Sequence, residues 1–218
     1  MATLLLRLAG PMQSWGTTSR FDERDTQLEP SKSGVLGLIC AALGRHRAKP
    51  VDDLAALRMG VRVEREGVTM RDYQTATGVV IASSGKPDKE RTVVSPRYYL
   101  ADAVFLVGLE GAPELLSTIH AALMSPVWPL ALGRKSCVPT LPVYLPDGLS
   151  EQLLHEALAT CPCLLTGEVP QMPRRVLLEH ISEGSMRFDQ PVAPFAERRF
   201  GPRFVKSELF FTGAASCT

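Results

Sequence analysis

The stretch TQLEPSKSGVLGLICAALG, residues 26–44, constrains the fold more than any other part of the sequence. Its apolar residues recur at spacings of three and four, which places them on one buried face of a helix. Ser31 or Ser33 can cap the first turn, because a hydroxyl accepts hydrogen bonds from the unpaired amides there. Gly44 suits the end of the helix. The stretch therefore predicts a core helix with a small, polar N-terminus.

The first turn of this helix has two interpretations. Free amides, two hydroxyls, the Lys32 ammonium and the absence of a side chain at Gly34 are the chemistry of a phosphate or anion site. An ordinary capped core helix would contain the same residues. PSKSG does not complete a Walker A loop, because the first glycine of GxxxxGK[ST] is missing. From this stretch alone both interpretations stay open.

Composition narrows the class of protein without identifying it. The 218 residues are 45% hydrophobic and 22% charged, which is ordinary for a soluble chain of one large or two small domains. A net charge of +1 means that any basic surface must be local. The five cysteines lack a zinc-binding spacing, and no apolar run suits a signal peptide or a membrane span. We therefore expect a cytoplasmic protein with reduced thiols and no metal or cofactor.

Hydrophobic patterning predicts an α+β fold. Residues 1–145 follow the order strand, helix, strand, strand, helix, strand, with a long insertion in the middle. This order is typical of a ferredoxin-like sheet that has both helices on one face and leaves the other face free. Turn residues at 146–148 mark a boundary. Beyond it, short strands predict a small β-rich domain in residues 146–218.

The insertion at about residues 71–98 combines basic side chains with few residues that can build a core. β-branched residues flank a turn that contains Gly85 and Pro87, which predicts a protruding hairpin. A solvated loop without a partner is the alternative. The basic residues of the insertion are Arg71, Lys86, Lys89, Arg91 and Arg97.

Three other segments combine features of nucleic-acid binding with ordinary structural explanations. Trp15 lies in a glycine-bounded loop beside Gln13, where its ring can stack on a base or pack over a neighbouring domain. The segment GRKS at 133–136 places two cations and a hydroxyl on a flexible backbone. FAERRFGPRF at 195–204 interleaves phenylalanines with arginines. That pattern suits either single-stranded nucleic acid or an edge strand with aromatic side chains inward and arginines outward.

The sequence does not predict a catalytic site. Neither HExxH nor GxSxG is present. The pair Asp52 and Asp53 is explained by the favourable effect of acids at a helix start. Four histidines lie outside the insertion and outside the loops of Trp15 and Lys135: His46, His120, His155 and His180.

Five ordered segments together resemble the CRISPR-associated family five. They are LLLRLAGPMQSWG, PSKSGVLGLICAALG, MRDYQTA, PRYYLADAVFLVGL and LGRKSC. The resemblance is strongest to the members that act in the type I-E Cascade surveillance complex. It covers residues 4–145 and weakens beyond them, where mainly FAERRF and RFVK are similar.

The resemblance implies an RRM-type, ferredoxin-like domain with a hairpin thumb, followed by a small β-rich domain. Such subunits hold the 5′ handle of the CRISPR RNA and are expected in one copy per hetero-oligomeric complex. They contact the Cascade backbone subunit and the large subunit that reads the PAM. Target DNA held by the assembled complex is a further candidate partner. In type I-E systems a separate subunit cuts the precursor RNA.

The residues and the resemblance together define a set of RNA-binding candidates. Lys32 with the helix amides, and Arg134 with Lys135, can each hold a phosphate, whereas Trp15 or Tyr73 can stack a base. The full set is Gln13, Trp15, Arg20, Arg24, Ser31, Lys32, Ser33, Gly34, Arg71, Tyr73, Arg97, Arg134, Lys135 and Ser136.

Two alternative functions stay open. Some type I-C relatives cut precursor RNA with a histidine, a tyrosine and a lysine. The insertion here contains Tyr73, Tyr98 and Tyr99 but no histidine, which argues against an endoribonuclease. The other alternative is a protein-only assembly subunit whose basic loops meet acidic partners.

Overall fold

The computed structural model describes residues 1–17, 23–81, 85–165 and 173–210. Within these ranges, no helix is long and apolar enough to cross a membrane. The elements in chain order are β1 (Ala2–Ala9), β2 (Met12–Gln13), α1 (Lys32–Ala42), α2 (Asp52–Ala55), β3 (Arg58–Arg65), β4 (Val68–Thr77), β5 (Thr92–Ala101), β6 (Val104–Gly111), α3 (Pro113–Met124), β7 (Tyr144–Ser150), α4 (Leu154–Thr160), β8 (Arg174–His180), β9 (Ser185–Pro191) and β10 (Phe200–Phe210).

A seven-stranded antiparallel sheet organises most of the chain, in the order β7-β1-β6-β3-β8-β10-β9. Along the chain, β1, α1, β3, β6, α3 and β7 follow the predicted order of strands and helices. The predicted boundary at 146–148 lies within β7, which pairs with β1. Because β8 pairs with β3, the C-terminal strands continue the same sheet. The division into domains of residues 1–145 and 146–218 stays a prediction.

The main core lies between the sheet and the helices α1 and α3. Leu4, Leu6 and Leu8 of β1 belong to it, whereas Leu5 belongs to a cluster on the opposite face. This is the alternation that the segment TLLLRLA predicts for a strand. The predicted apolar face of α1 is also confirmed, since its residues are buried in the same core.

The opposite face of the sheet is not free, so that expectation is wrong. Leu154 and Leu158 of α4 pack there in a second apolar cluster with Leu5. The close approach depends on Gly60, because a Cβ at that position would lie 2.7 Å from Leu158 Cδ1. A helix from the C-terminal part therefore covers the face that the sequence left open.

Arg62 holds the end of α4 in place from inside the protein. Its side chain is fully buried and pairs with the equally buried Glu64. Its guanidinium donates to the main-chain carbonyls of Leu158, Cys161 and Pro162. These bonds satisfy carbonyl groups that a helix end leaves without partners.

A separate three-stranded sheet, β2-β5-β4, confirms the predicted hairpin. β4 and β5 pair from Val68 opposite Ala101 to Thr77 opposite Thr92. Only the end of β5 near the main core is buried within these two strands. The hairpin is therefore held by its own backbone pairing and by its base.

Candidate nucleic-acid interface

The first turn of α1 is buried against the C-terminal strands. Lys32 is 1% exposed, and its Nζ lies 3.0 Å from both carboxylate oxygens of Glu179. Burial lowers the pKa of Lys32, and the attraction of Glu179 opposes that shift. The ammonium is therefore engaged inside the protein rather than presented to a ligand.

The amides of this turn hold an anion that belongs to the chain itself. The backbone amide of Lys32 donates to Asp189 Oδ2 at 2.8 Å. Ser31 is the N-cap, and its Oγ accepts from the amide of Gly34 at 3.3 Å. The prediction that the turn offers a vacant phosphate site is wrong, because Asp189 supplies the negative charge that a helix N-terminus favours. That prediction concerned Ser31, Lys32, Ser33 and Gly34.

The loop before α1 is turned inward. Trp15 is 1% exposed and Gln13 is fully buried. Trp15 Nε1 donates to Gln13 Oε1 at 3.0 Å, and Gln13 Nε2 donates to the carbonyls of Leu8 and Ala103. Of the two alternatives for Trp15, the packed ring is the one observed, and the prediction that it presents a ring for stacking is wrong. Its ring packs on the first turn of α1, where a Cβ at Gly34 would lie 2.8 Å from Trp15 Cε3.

Arg134 joins three segments at the base of the hairpin. Its Nη2 donates to the carbonyl of Arg24 at 2.9 Å, and its guanidinium carbon lies 4.7 Å from the centre of the Tyr99 ring. Its Nη1 is buried without a hydrogen-bond partner. The next two residues, Lys135 and Ser136, are exposed. The GRKS loop therefore presents Lys135 and Ser136 to solvent, while Arg134 is held by the protein.

One face of the hairpin presents a cation and an aromatic ring. Arg71 and Tyr73 share this face of β4; both are exposed, Tyr73 to 65%. Tyr98 of β5 lies opposite Arg71. A hydrogen bond to Glu23 raises the pKa of Tyr98. Because they are exposed, the side chains of Arg71 and Tyr73 are accessible to a phosphate and to a base.

Arg24 lies on the other side of β5 from β4. Its amide donates to the carbonyl of Pro96 at 2.9 Å, and its carbonyl accepts from the amide of Tyr98 at 2.9 Å. Arg24 is exposed, whereas Arg97 is half-buried and its Nε lacks a hydrogen-bond partner. Arg20 lies outside the described residues.

The structure thus separates the predicted RNA-binding residues into two groups. Gln13, Trp15 and the residues at the first turn of α1 are wholly or largely buried. A second group lies around β5 and is exposed or half-buried. It occupies both faces of the hairpin, because Arg71 and Tyr73 lie on one face, whereas Arg97 and Arg134, which lies over the Tyr99 ring, are on the other. We call it the β5 surface; it consists of Arg24, Arg71, Tyr73, Arg97, Arg134, Lys135 and Ser136.

The acidic partners of the buried cations have no signal in the sequence. Asp189 lies 157 residues from Lys32, and no local motif connects the two. Asp189 also accepts from Arg203 Nε at 2.6 Å. The side chain of Arg203 is 7% exposed, so the interpretation that FAERRFGPRF directs all its arginines outward is wrong.

His120 and His155 make contacts within the protein that are structural. His120 Nε2 lies 3.0 Å from the carbonyl of Leu145. The ring of His155 packs on Phe210 with centroids 4.8 Å apart. Among the described residues, no group of three His, Cys, Asp or Glu side chains could hold a metal ion.

An antiparallel α/β fold with a basic, aromatic hairpin is well suited to bind nucleic acid. The chain belongs to the family described as CRISPR-associated protein (Cas_Cas5), whose model matches residues 3–206. Family membership confirms the resemblance that the five ordered sequence segments indicate.

Individual relatives extend this result. The CRISPR system Cascade subunit CasD of Escherichia coli (strain K12) is 37% identical over 160 residues, which cover 65% of this chain and 69% of that protein. A solved structure titled "Crystal structure of Cas protein" is 51% identical with a TM-score of 0.81, covering 96% of this chain and 95% of that chain. A chain from "CRISPR RNA-guided surveillance complex" is 34% identical with a TM-score of 0.77, covering 97% and 91%.

Proposed function

We propose that this chain is a non-catalytic, RNA-binding subunit of a type I-E Cascade surveillance complex, where it holds the 5′ handle of the CRISPR RNA. The observation that carries the proposal is the 34% identity, over 97% of the chain, to a chain of a CRISPR RNA-guided surveillance complex. The 37% identity to CasD supports the assignment to Cascade.

The β5 surface supports RNA binding. Arg24, Arg71 and Lys135 are exposed cations that can contact phosphates, and Tyr73 can stack on an unpaired base. Holding a single-stranded RNA end requires such contacts and no bond-making chemistry. We therefore assign handle binding to the β5 surface rather than to the first turn of α1.

The strand order also bears on where RNA binds. The neighbouring strands β7-β1-β6-β3, with α1 and α3 on one face, fit a ferredoxin-like, RRM-type unit. RRM domains bind RNA on the open face of their sheet. Here α4 packs on that face, which favours binding through the hairpin and its base.

The remaining partners follow from the same proposal. In the cytoplasmic complex, one copy of the chain contacts the Cascade backbone subunit and the large subunit. The hairpin contains exposed apolar residues such as Val80 and Val94, which are 62% and 42% exposed. These offer a packing surface to a neighbouring subunit.

Matched variants test the binding proposal. Tyr73→Ala with Lys135→Ala should weaken binding of a 5′-handle RNA oligonucleotide by about tenfold or more. For single strands, each lost phosphate contact also lowers the slope of log K against log salt by about 0.7. Fluorescence anisotropy across a salt series measures both quantities.

The matched control removes an exposed aromatic ring and an exposed lysine elsewhere, in Phe188→Ala with Lys206→Ala. It should leave affinity and slope unchanged. Equal effects in the two double variants, or no effect in the first, would contradict the assignment to the β5 surface. Incubation with CRISPR repeat RNA in the absence of metal tests the non-catalytic part, which a single cut at the handle boundary would refute.

A further inference from the structure

α4 covers part of one face of the seven-stranded sheet, where it packs over β1, β6 and β3. The same face continues across β8, β10 and β9. Leu178 of β8 belongs to the α4 cluster, and His180, two positions further on, shares its face. His180 lies opposite Phe204, and Phe204 lies opposite Met186. These three residues therefore form a row across the part of the face that lies beside α4.

This part of the face exposes large apolar side chains. Met186 and Phe188, which share a face of β9, are 55% and 53% exposed. Ile181, in the loop between β8 and β9, is 95% exposed. Two backbone amides of that loop donate to His180 Nδ1 at 3.3 and 2.9 Å, which holds the loop in place. A contiguous apolar patch of this kind marks an interaction site, whereas a single exposed apolar residue does not.

A cleft of about 720 Å³ opens at the ends of these strands. Its walls include Ile181, Pro202 and Phe204. The volume is in the range of ligand pockets in proteins, which is enough to receive large side chains of a partner. The buried cations Lys32 and Arg203 also line the cleft, and each is paired with an internal carboxylate. The cleft therefore offers its apolar walls to a partner rather than these charges.

The charges around the patch disfavour a nucleic acid. Lys206 Nζ lies 3.6 Å from a carboxylate oxygen of Glu183 and 3.7 Å from one of Glu208. Arg58, at the border of the cleft, pairs with Glu110 at 3.4 Å. Two cations are thus matched by three carboxylates. A phosphodiester backbone needs unmatched cations, whereas a protein interface has an apolar centre and a polar rim. The patch therefore fits a protein partner.

The shape of the patch favours a helix as the part of the partner that binds. Neighbouring strands lie about 4.8 Å apart, so β8, β10 and β9 span about 10 Å, which is about the diameter of one helix. α4 already covers three neighbouring strands of the same face. Because the apolar face of a sheet is buried against another layer of secondary structure, a second helix beside α4 would continue that layer.

We propose that this patch docks one amphipathic helix of another protein subunit of the complex. We call it the β9 surface; it consists of Ile181, Met186, Phe188 and Phe204 with the cleft beside them. An apolar stripe of the helix packs on these side chains. Lysine or arginine at the border of the stripe faces Glu183 and Glu208, whose side chains are 64% and 39% exposed. The proposal rests on the proposed function, since that function supplies the neighbouring subunits.

The first test uses Cascade complexes assembled with Met186→Gln and Phe188→Gln and purified through a tag on this chain. Both side chains are exposed, so the fold should stay intact, which urea denaturation of the isolated variant checks. On dilution, one protein subunit should dissociate at a concentration about tenfold or more higher than in the parent complex. Met124→Gln with Leu153→Gln is the matched control, because these side chains are 57% and 55% exposed elsewhere on the chain. The control should keep every subunit as the parent does.

Photo-crosslinking identifies what binds to the β9 surface. Benzoylphenylalanine placed at Ile181 or at Phe188 should crosslink to one segment of the same protein subunit, at residues three, four or seven positions apart, as one face of a helix requires. The proposal is overturned by crosslinks to nucleic acid, to a second copy of this chain or to a segment without this spacing, and by the absence of crosslinks. Unchanged dissociation of every subunit in the double variant overturns it as well.

The CRISPR RNA retained in each purified complex reports on the proposed function separately. It should be equal in the parent, the double variant and the control, because the β9 surface does not include the β5 surface. A parent complex without this RNA would contradict the proposed function. A parent complex that holds the RNA, together with a double variant that keeps every subunit, would overturn the docking proposal alone.

Discussion

At the scale of single residues, Glu29 illustrates how this protein uses charge internally. It is 6% exposed and accepts from Arg175 at 2.7 Å and from Arg187 at 3.0 Å. Burial alone would raise the pKa of Glu29, but the two guanidinium groups outweigh it and place the pKa below 4.5. With the pair of Lys32 and Glu179, this cluster connects the start of α1 to β8 and β9. Breaking such a pair leaves an uncompensated buried charge.

The lowered pKa of Glu29 predicts a specific pH dependence of stability. Between the two pKa values the unfolded chain binds more protons than the folded one, so the stabilisation from Glu29 is present above pH 4.5 and is lost as pH falls through the folded pKa. In Glu29→Gln, the share of the acid-induced loss of stability that comes from Glu29 should disappear. The free energy of unfolding, measured in urea from neutral to acidic pH, should show a shallower decline.

Glu151→Gln is the control for this measurement, because Glu151 is exposed. Its stability should decline with acid in the same way as in the parent chain. Parallel curves for Glu29→Gln and the parent chain would mean that the cluster around Glu29 does not contribute to acid stability.

At the scale of elements, the packing of α4 on the sheet depends on missing side chains. Gly60 leaves the space into which Leu158 fits, since a Cβ there would lie 2.7 Å from Leu158 Cδ1 and 2.9 Å from Leu178 Cδ2. The buried Arg62 then fixes the end of the helix by its bonds to main-chain carbonyls. Glycine weakens a strand because it has no side chain to pack, yet at this position its small size permits a helix to pack closely on the sheet.

Gly60→Val should destabilise the protein by about 1–3 kcal/mol, because overpacking a closed core forces side chains from their preferred rotamers. Urea denaturation followed by circular dichroism measures the change. Gly37→Ala in α1 is the contrasting substitution, since nothing lies within 4 Å of a Cβ at that position. It should stabilise the helix by up to about 1 kcal/mol. Similar midpoints for both variants would show that α4 is not closely packed at Gly60.

At the scale of the whole molecule, the residues after 150 supply strand pairing, packing and charge partners to residues 1–150. β8 pairs with β3, α4 covers one face of the sheet, and Glu179 and Asp189 serve the first turn of α1. A fragment of residues 1–150 would lose all four contributions. It would also leave the buried Lys32 ammonium without its carboxylate partner.

We expect the fragment of residues 1–150 to lose cooperative unfolding, although it keeps the strands β1, β3, β6 and β7. Urea denaturation with two probes, far-UV circular dichroism and tryptophan fluorescence, should give transitions that do not coincide. The full chain is the reference, and Lys32→Met in the fragment should recover part of the lost stability. A fragment as cooperative as the full chain would instead support independent domains divided near residue 145.

Much of the architecture follows from neighbouring residues. The alternation in TLLLRLA predicts which leucines of β1 face the helices, and the spacing in VLGLICAALG predicts the buried face of α1. The turn residues around Gly85 predict the hairpin. Within the candidate site, Arg71 and Tyr73 are exposed as the hairpin pattern implies, whereas Lys32 and Trp15, which were also RNA-binding candidates, are buried.

The sequence by itself determined the elements, their order and the family, because helix faces, caps, turns and strand alternation depend on residues a few positions apart. Only the tertiary structure decided which cations are available to a ligand. Glu179 and Asp189, at 147 and 157 positions from Lys32, neutralise the first turn of α1. Whether a charge faces solvent or a buried partner depends on contacts that chain folding alone creates, and here those contacts move the candidate RNA-binding surface from α1 to β5.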